Sequence, residues 1–229
     1  MLITALLSII LDTKKPSSYT PAVKSNANNT IMTEATKIMK VIALNSSARK
    51  NGNTAILLNL VLDELKTEGI KTELIQMAGT ALPGCKACYK CFKKKNKHCS
   101  VETDMLNEII DKMLAAEGIL LGSPTYFSDT TANMRAFIER CGFVARANDY
   151  MFKGKVGAAV VAVRRAGAIQ AFSGMNLFLH YMQMVMPGTS YWSIGLGREI
   201  GDVLKDNEGI QTMKDLGKNM AWLMKKVYA

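Results

Sequence analysis

The sequence predicts an α/β fold, a doubly wound five-stranded parallel sheet with helices on both faces. Three observations carry that reading. From Lys40 onward, five short β-rich apolar runs alternate with five longer segments of helical periodicity. Strict alternation of strand and helix implies parallel strands, because each parallel connection needs a crossover. The third run, GILLGSP, is apolar throughout, as a strand buried on both faces must be.

Taken in order, KVIALN (40–45) reads as a buried first strand. Asn53 or Thr54 then offers a cap to a helix with Ile56, Leu57, Leu60, Val61 and Leu65 on one side, closing near Gly69. IKTELIQM (70–77) is the second strand, followed by a cysteine-rich loop over 84–100. Thr103 or Asp104 caps the next helix, in which Met105, Ile109, Met113 and Leu114 recur at helical spacing. After the third strand (118–124), a helix runs from about Thr131 to Arg146, and KVGAAVVAV (155–163) forms the fourth strand. A helix from Ala168 to Met186 ends at Pro187-Gly188, TSYWSI (189–194) is the fifth strand, and Glu208–Val227 is the last helix. The methionines between residues 175 and 186 read as helical core, since Met fills irregular gaps.

A chain of 229 residues is long enough for one well-filled core and does not require a second. Its +10 formal charge raises the question of a nucleic-acid partner. Six lysines, Lys86, Lys90, Lys93, Lys94, Lys95 and Lys97, stand between Cys85 and Cys99 with no acid among them, so most of the excess sits in one loop. With few aromatics and no basic stripe elsewhere, nucleic-acid binding is not expected. The apolar opening MLITALLSIIL falls far short of the roughly 20 residues of a membrane span. Its lysines, Lys14 and Lys15, follow the apolar run rather than precede it, unlike a secretory signal. Residues 1–38 read as an N-terminal extension, polar and aperiodic from residue 12, disordered or an artefact of start-codon choice, with a short interfacial membrane anchor as the lesser alternative, and 39–229 as the folded domain.

In doubly wound sheets, ligands sit beyond the carboxyl ends of the strands, where the strand order reverses. The first such loop, NSSARKNGNT (45–54), leads into a helix N-terminus, where backbone N–H groups and the helix dipole favour an anion. Ser47, Asn53 and Thr54 add donors, and Arg49 balances charge; the same residues also make an ordinary polar turn with a good helix cap. Neither GxGxxG nor GxxxxGK[ST] is present, which favours the single phosphate of a mononucleotide such as FMN over a pyrophosphate. After the third strand, Pro124, Thr125, Tyr126 and Phe127 offer an apolar surface and backbone polar groups to a flat redox ring, or simply pack at a strand end. After the fourth, Arg164 to Gly167 can touch a ring edge or balance negative charge.

Four of five cysteines follow the spacing Cys85-x2-Cys88-x2-Cys91-x7-Cys99. Three thiolates two residues apart wrap one face of a compact centre, and the fourth closes it, as a cubane [4Fe-4S] cluster requires. Zinc on four thiolates, or on three with His98, and free thiols remain open; a disulfide is disfavoured in a cytosolic chain. Cys141 and His180 read as structural side chains, and two histidines leave little for a hydrolytic triad.

These loops, in this order, resemble the NADPH-dependent FMN reductase family of flavodoxin-like proteins, and the cysteine loop is similar to that of its iron-sulfur flavoprotein branch. NSSARKNGNT is close to the family's NGSPRKNGNT, differing at Ser46 and Ala48, and GSPTYF matches GSPxYF, followed by MRAFIER. The fourth-strand loop departs, reading RRAGAIQ where the family often pairs glycines. The resemblance covers about residue 39 to the C-terminus. It implies a phosphate held by Ser47, Arg49, Asn53 and Thr54, an isoalloxazine lined by residues 124–127, a cytoplasmic location and a homo-oligomer, dimer or tetramer.

The function expected is an FMN-dependent oxidoreductase that moves electrons between a carrier, such as ferredoxin or NAD(P)H, and an acceptor through a [4Fe-4S] cluster and FMN. Two alternatives stand beside it. One is an NAD(P)H-dependent FMN or quinone reductase without a cluster; the other is a non-enzymatic electron-transfer or redox-sensing flavoprotein. The first of these readings requires no acid-base side chain, and none is nominated.

Overall fold

A computed structural model of the chain describes residues 38–79 and 81–228. The reading of the N-terminal extension therefore falls, apart from Ile38, outside the described residues. Five parallel strands form one sheet in the order β2-β1-β3-β4-β5. They are β1 (Lys40–Asn45), β2 (Lys71–Gln76), β3 (Gly118–Pro124), β4 (Val156–Val163) and β5 (Ile194–Leu196). The helices are α1 (Asn53–Thr67), α2 (Lys90–Lys94), α3 (Leu106–Ala115), α4 (Ala132–Ala147), α5 (Ala168–Tyr181) and α6 (Asn207–Val227).

Alternate residues of each strand point to opposite faces, so two cores form. Ile42, Leu44, Ile119 and Leu121 meet residues of α3, α4 and α5 on one side. Val41, Ala43 and Leu120 meet α1 and α6 on the other. β1 and β3, the middle pair, have Ala43 opposite Leu120 and Asn45 opposite Gly122. The sheet order reverses between them, and the crevice above their carboxyl ends is where the fold leaves room for a ligand.

Five details differ from the expected elements, the first being that α3 is capped at Met105, with no side-chain hydrogen bond, rather than at Thr103 or Asp104. Helix α5 stops at Tyr181 rather than Met186 because Gln183 turns left-handed (φ 58°) and Val185 pairs with Val156 beside the start of β4. The fifth strand is Ile194–Leu196, not 189–194: it pairs with Val161–Val163 of β4, while Tyr191 and Trp192 pack against each other at a tilt before it (ring centroids 4.8 Å). Helix α1 is capped at Gly52 with no side-chain hydrogen bond, not by Asn53 or Thr54. A short helix, α2, interrupts the cysteine loop, where the lysine run masked any periodicity. No helix among the described residues is long and apolar enough to cross a membrane.

Candidate functional site

The loop after β1 is held open by its own side chains. Asn45 Oδ1 accepts from the Ser47 N–H (3.1 Å), and Asn45 Nδ2 donates to Gln76 Oε1 (2.6 Å). Gln76 Nε2 in turn donates to the Ser47 carbonyl (2.7 Å), and Ser46 Oγ donates to the Gly122 carbonyl of β3 (3.0 Å). The backbone from Asn45 to Lys50 is thereby held partly by the neighbouring strands and partly by the loop's own side chains, and the first turn of α1, which has no side-chain cap, brings Asn53 and Thr54 to the crevice.

A cavity of about 240 Å³ lies there, lined by Ser47, Arg49, Asn53, Thr54, Pro124, Thr125, Tyr126 and Arg164 together with Ala162, Gly197 and Arg198. Eight of the ten predicted cofactor residues thus surround one space at the carboxyl ends of β1, β3 and β4. Phe127 and Gly167 do not line it. The Phe127 side chain is fully exposed, at the tip of a turn in which it and Ser128 are left-handed (φ 48° and 61°) and Tyr126 bridges Asp129. Gly167 acts from behind: at φ 84°, a Cβ there would stand 2.6 Å from Ser128 Oγ, so the loops after β3 and β4 can pack only through a glycine.

Asn53 plays a part that spacing does not reveal. Its Nδ2 donates to the Glu199 carbonyl (2.8 Å) and its Oδ1 accepts from the Gly201 N–H (2.9 Å). Both ends of the amide are used to tie α1 to the loop after β5. That loop supplies Gly197 and Arg198, which sequence reasoning missed because the fifth strand was placed too early. The GLGR at residues 195–198, read as the end of a strand, was the available signal. Arg49 Nη1 also reaches the Arg198 carbonyl (3.5 Å).

The chemistry of this cavity is that of an anion site with an aromatic side. Three arginines line it and no carboxylate does. Thr125 Oγ1 is buried and has no hydrogen-bond partner among the described residues, although the Thr125 N–H is satisfied by the Ala162 carbonyl (2.9 Å). A buried hydroxyl left unpaired carries its full desolvation cost, which a polar ligand atom would relieve. Phosphate, an apolar ring face and a polar ring edge are the features of FMN, and these residues fit them.

The second site is the cysteine loop, which lies on α4. Glu139 Oε2 accepts from the Cys85 N–H (3.2 Å), and Asn148 Oδ1 from the Lys97 N–H (3.0 Å). Phe143 packs edge-on against Tyr89 and Phe92, and Arg146 sits over the Phe92 ring (6.0 Å). From α3, Asn107 clasps the Cys99 peptide in both directions (2.8 and 3.0 Å). Ala87, Tyr89, Lys95 and Lys97 are left-handed, with φ between 47° and 65°. Each such residue costs about 1–3 kcal/mol and persists only where its surroundings enforce it.

Cys85, Cys88, Cys91 and Cys99 line one small cavity of about 20 Å³, and Cys88 is exposed. Among the described residues, no three His, Cys, Asp or Glu side chains are grouped as they would be around a metal ion. Hydrogen bonds reach the sulfurs nonetheless: the Ala87 N–H to Cys85 Sγ (3.4 Å) and Arg140 Nη2 to Cys99 Sγ (3.4 Å). Ser100 beside Cys88 holds that thiol's pKa below its ordinary value, whereas burial pushes Cys91 up. Arg140 also lines this cavity, and its Nε is buried without a partner among the described residues. Four cysteines lining one space are, by ligand type, the set a sulfide-bearing cluster takes. His98 Nε2 instead meets Asp111 (2.8 Å). Cys141 is buried in the core away from this cavity.

Comparison with known proteins bears on the family and the fold. The family model for NADPH-dependent FMN reductase matches residues 39–199. An iron-sulfur flavoprotein of Methanocaldococcus jannaschii is 34% identical over 196 residues, covering 82% of this chain and 99% of its own. One from Methanosarcina thermophila is 28% identical over 184 residues, covering 80% and 93%. Among solved structures, a flavodoxin from the domain Archaea superposes with a TM-score of 0.54 at 18% identity, covering 82% of this chain and 99% of its own, which shows the shared flavodoxin-like fold.

Proposed function

The chain belongs to the NADPH-dependent FMN reductase family, and from that premise we propose that it is an FMN-dependent oxidoreductase with a [4Fe-4S] cluster on Cys85, Cys88, Cys91 and Cys99. It exchanges electrons between an external carrier and a small acceptor. When bound, FMN supplies one- or two-electron chemistry and the cluster single-electron chemistry. The polypeptide supplies placement and charge. Arg49, Arg164 and Arg198 neutralise a phosphate dianion, with Ser47, Thr54 and the uncapped N–H groups of α1 as its donors. Pro124 and Tyr126 present an apolar wall, and Thr125 Oγ1 gains the partner it lacks.

The observation that carries the reading is the cavity itself: three arginines, no carboxylate and an orphaned hydroxyl at the β1/β3 switch point. The lysine-rich loop beside the thiols supports an acidic carrier such as ferredoxin, by charge complementarity. A cytoplasmic homo-oligomer accompanies the proposal. Anaerobically purified protein tests it: flavin with iron and acid-labile sulfide near four per chain is the expected composition.

A second reading, an NAD(P)H-dependent FMN or quinone reductase without a cluster, is favoured by one observation, the absence among the described residues of any three side chains grouped for a metal. Bound flavin with neither iron nor sulfide, and turnover with NAD(P)H, would establish it instead.

A further inference from the structure

One buried cation fastens the cysteine loop. Arg140 of α4 is 2% exposed, and its guanidinium reaches both stems of that loop. Nη1 donates to Asp104 Oδ2 (2.6 Å) and to the Pro83 carbonyl (3.3 Å), just before the first cysteine. Nη2 donates to Cys99 Sγ (3.4 Å), the Val101 carbonyl (3.4 Å) and Asp104 Oδ1 (3.3 Å), at and just after the last cysteine. Only Nε is left without an acceptor, and Arg140 lines the cavity that the four thiols share.

Asp104, itself buried, cancels most of the charge, so what the guanidinium offers the thiols is directed N–H groups rather than net field. Lysine would not serve: five donors in a rigid fork are needed to reach Asp104, two carbonyls and a sulfur at once. A guanidinium stays charged in any protein setting, and here the Asp104 carboxylate is its counter-ion.

We propose that Arg140 is the positioning residue of the sulfur site. It locks the two stems of the cysteine loop together, fixes Cys99 Sγ, and makes the bound centre easier to reduce by donating to its sulfur. This rests on the reading that the thiols hold an iron-sulfur cluster. Reduction adds negative charge to the centre, so a donor to its sulfur stabilises the reduced form more than the oxidised one.

The test compares wild type, Arg140→Lys and the double variant Asp104→Asn/Arg140→Gln, in which no buried charge is left alone. Three quantities are read: iron and sulfide per chain, midpoint potential in an anaerobic dithionite titration followed by electron paramagnetic resonance, and alkylation of Cys99 relative to Cys88 by iodoacetamide in iron-free protein. Loss of one charge-assisted hydrogen bond should weaken reduction roughly tenfold, about 59 mV downward for one electron, and Cys99 should be alkylated faster relative to Cys88. Folded variants with wild-type potential and an unchanged alkylation ratio overturn the proposal. If wild type itself holds no iron, the cluster reading fails and the alkylation ratio alone decides: a raised ratio retains the hold of Arg140 on Cys99, and an unchanged one removes it.

Discussion

Asn53 separates two ways in which a residue can serve a cavity. Spacing places it among the phosphate donors; the structure commits its amide to Glu199 and Gly201, on the loop that carries Gly197 and Arg198. In Asn53→Ala both hydrogen bonds go. At about 0.5–1.5 kcal/mol each, the pair is worth about 1–3 kcal/mol, and the lower end for contacts at the surface. A loss of about 1 kcal/mol lowers Tm by about 2–4 °C in a domain of this size. Because binding must then re-order the loop, the dissociation constant for FMN should rise by about 5- to 30-fold. Flavin-free protein titrated with FMN, followed by quenching of flavin fluorescence, measures it alongside a thermal melt. A lowered Tm with unchanged affinity would show that the loop stands without its clamp. A loss far beyond 100-fold would show that Asn53 touches the ligand directly, and either result refutes the reasoning.

Three further outcomes follow from the same structure. Thr125→Val removes an orphaned hydroxyl at nearly constant shape, so the flavin-free protein should gain about 1 kcal/mol in a urea titration while its FMN affinity falls. Cys88→Ala should abolish iron and sulfide but leave flavin bound, as read by metal analysis and the absorption spectrum; two unchanged chromophores would contradict the ligand assignment. Burial pushes the Cys141 thiol up, so its proton stays on in the fold where the unfolded thiol, near pKa 8.5, has lost it. That contribution is complete below pH ~8.5 and declines above it, so from about pH 9 wild type should lose about 1.4 kcal/mol more per pH unit than Cys141→Ala. Equal slopes in urea titrations of iron-free protein would rule this out.

The central strands were legible because their chemistry is local. KVIALN, GILLGSP and GAAVVAV carry apolar centres without alternation, and a strand covered on both faces is written that way. The end of α5 was hidden because MQMVM continues the helical apolar pattern, and only the left-handed turn at Gln183 breaks it. The fifth strand pairs over three residues, too few for periodicity to register. In the cavity, Ser47, Arg49, Pro124 and Thr125 were readable because they follow strands directly. Arg198 and the clamp of Asn53 were not, since their partners lie about 150 positions away. Phe127 shows the reverse case. Its aromatic side chain belongs by type to a ring-binding wall, but the turn geometry sends it into solvent. Arg140 could be seen only as part of MRAFIER, because Pro83, Cys99, Val101 and Asp104 converge on it only after folding.

The cavity between β1 and β3 makes one claim before any other, that it grips the phosphate of a flavin mononucleotide. Titrating flavin-free wild type and Arg49→Met with FMN and with riboflavin in parallel tests it most directly. The account predicts tight FMN binding, weaker riboflavin binding, and a loss of roughly tenfold or more in Arg49→Met confined to FMN. Equal affinity for the two flavins in wild type, or no binding of either, would contradict it.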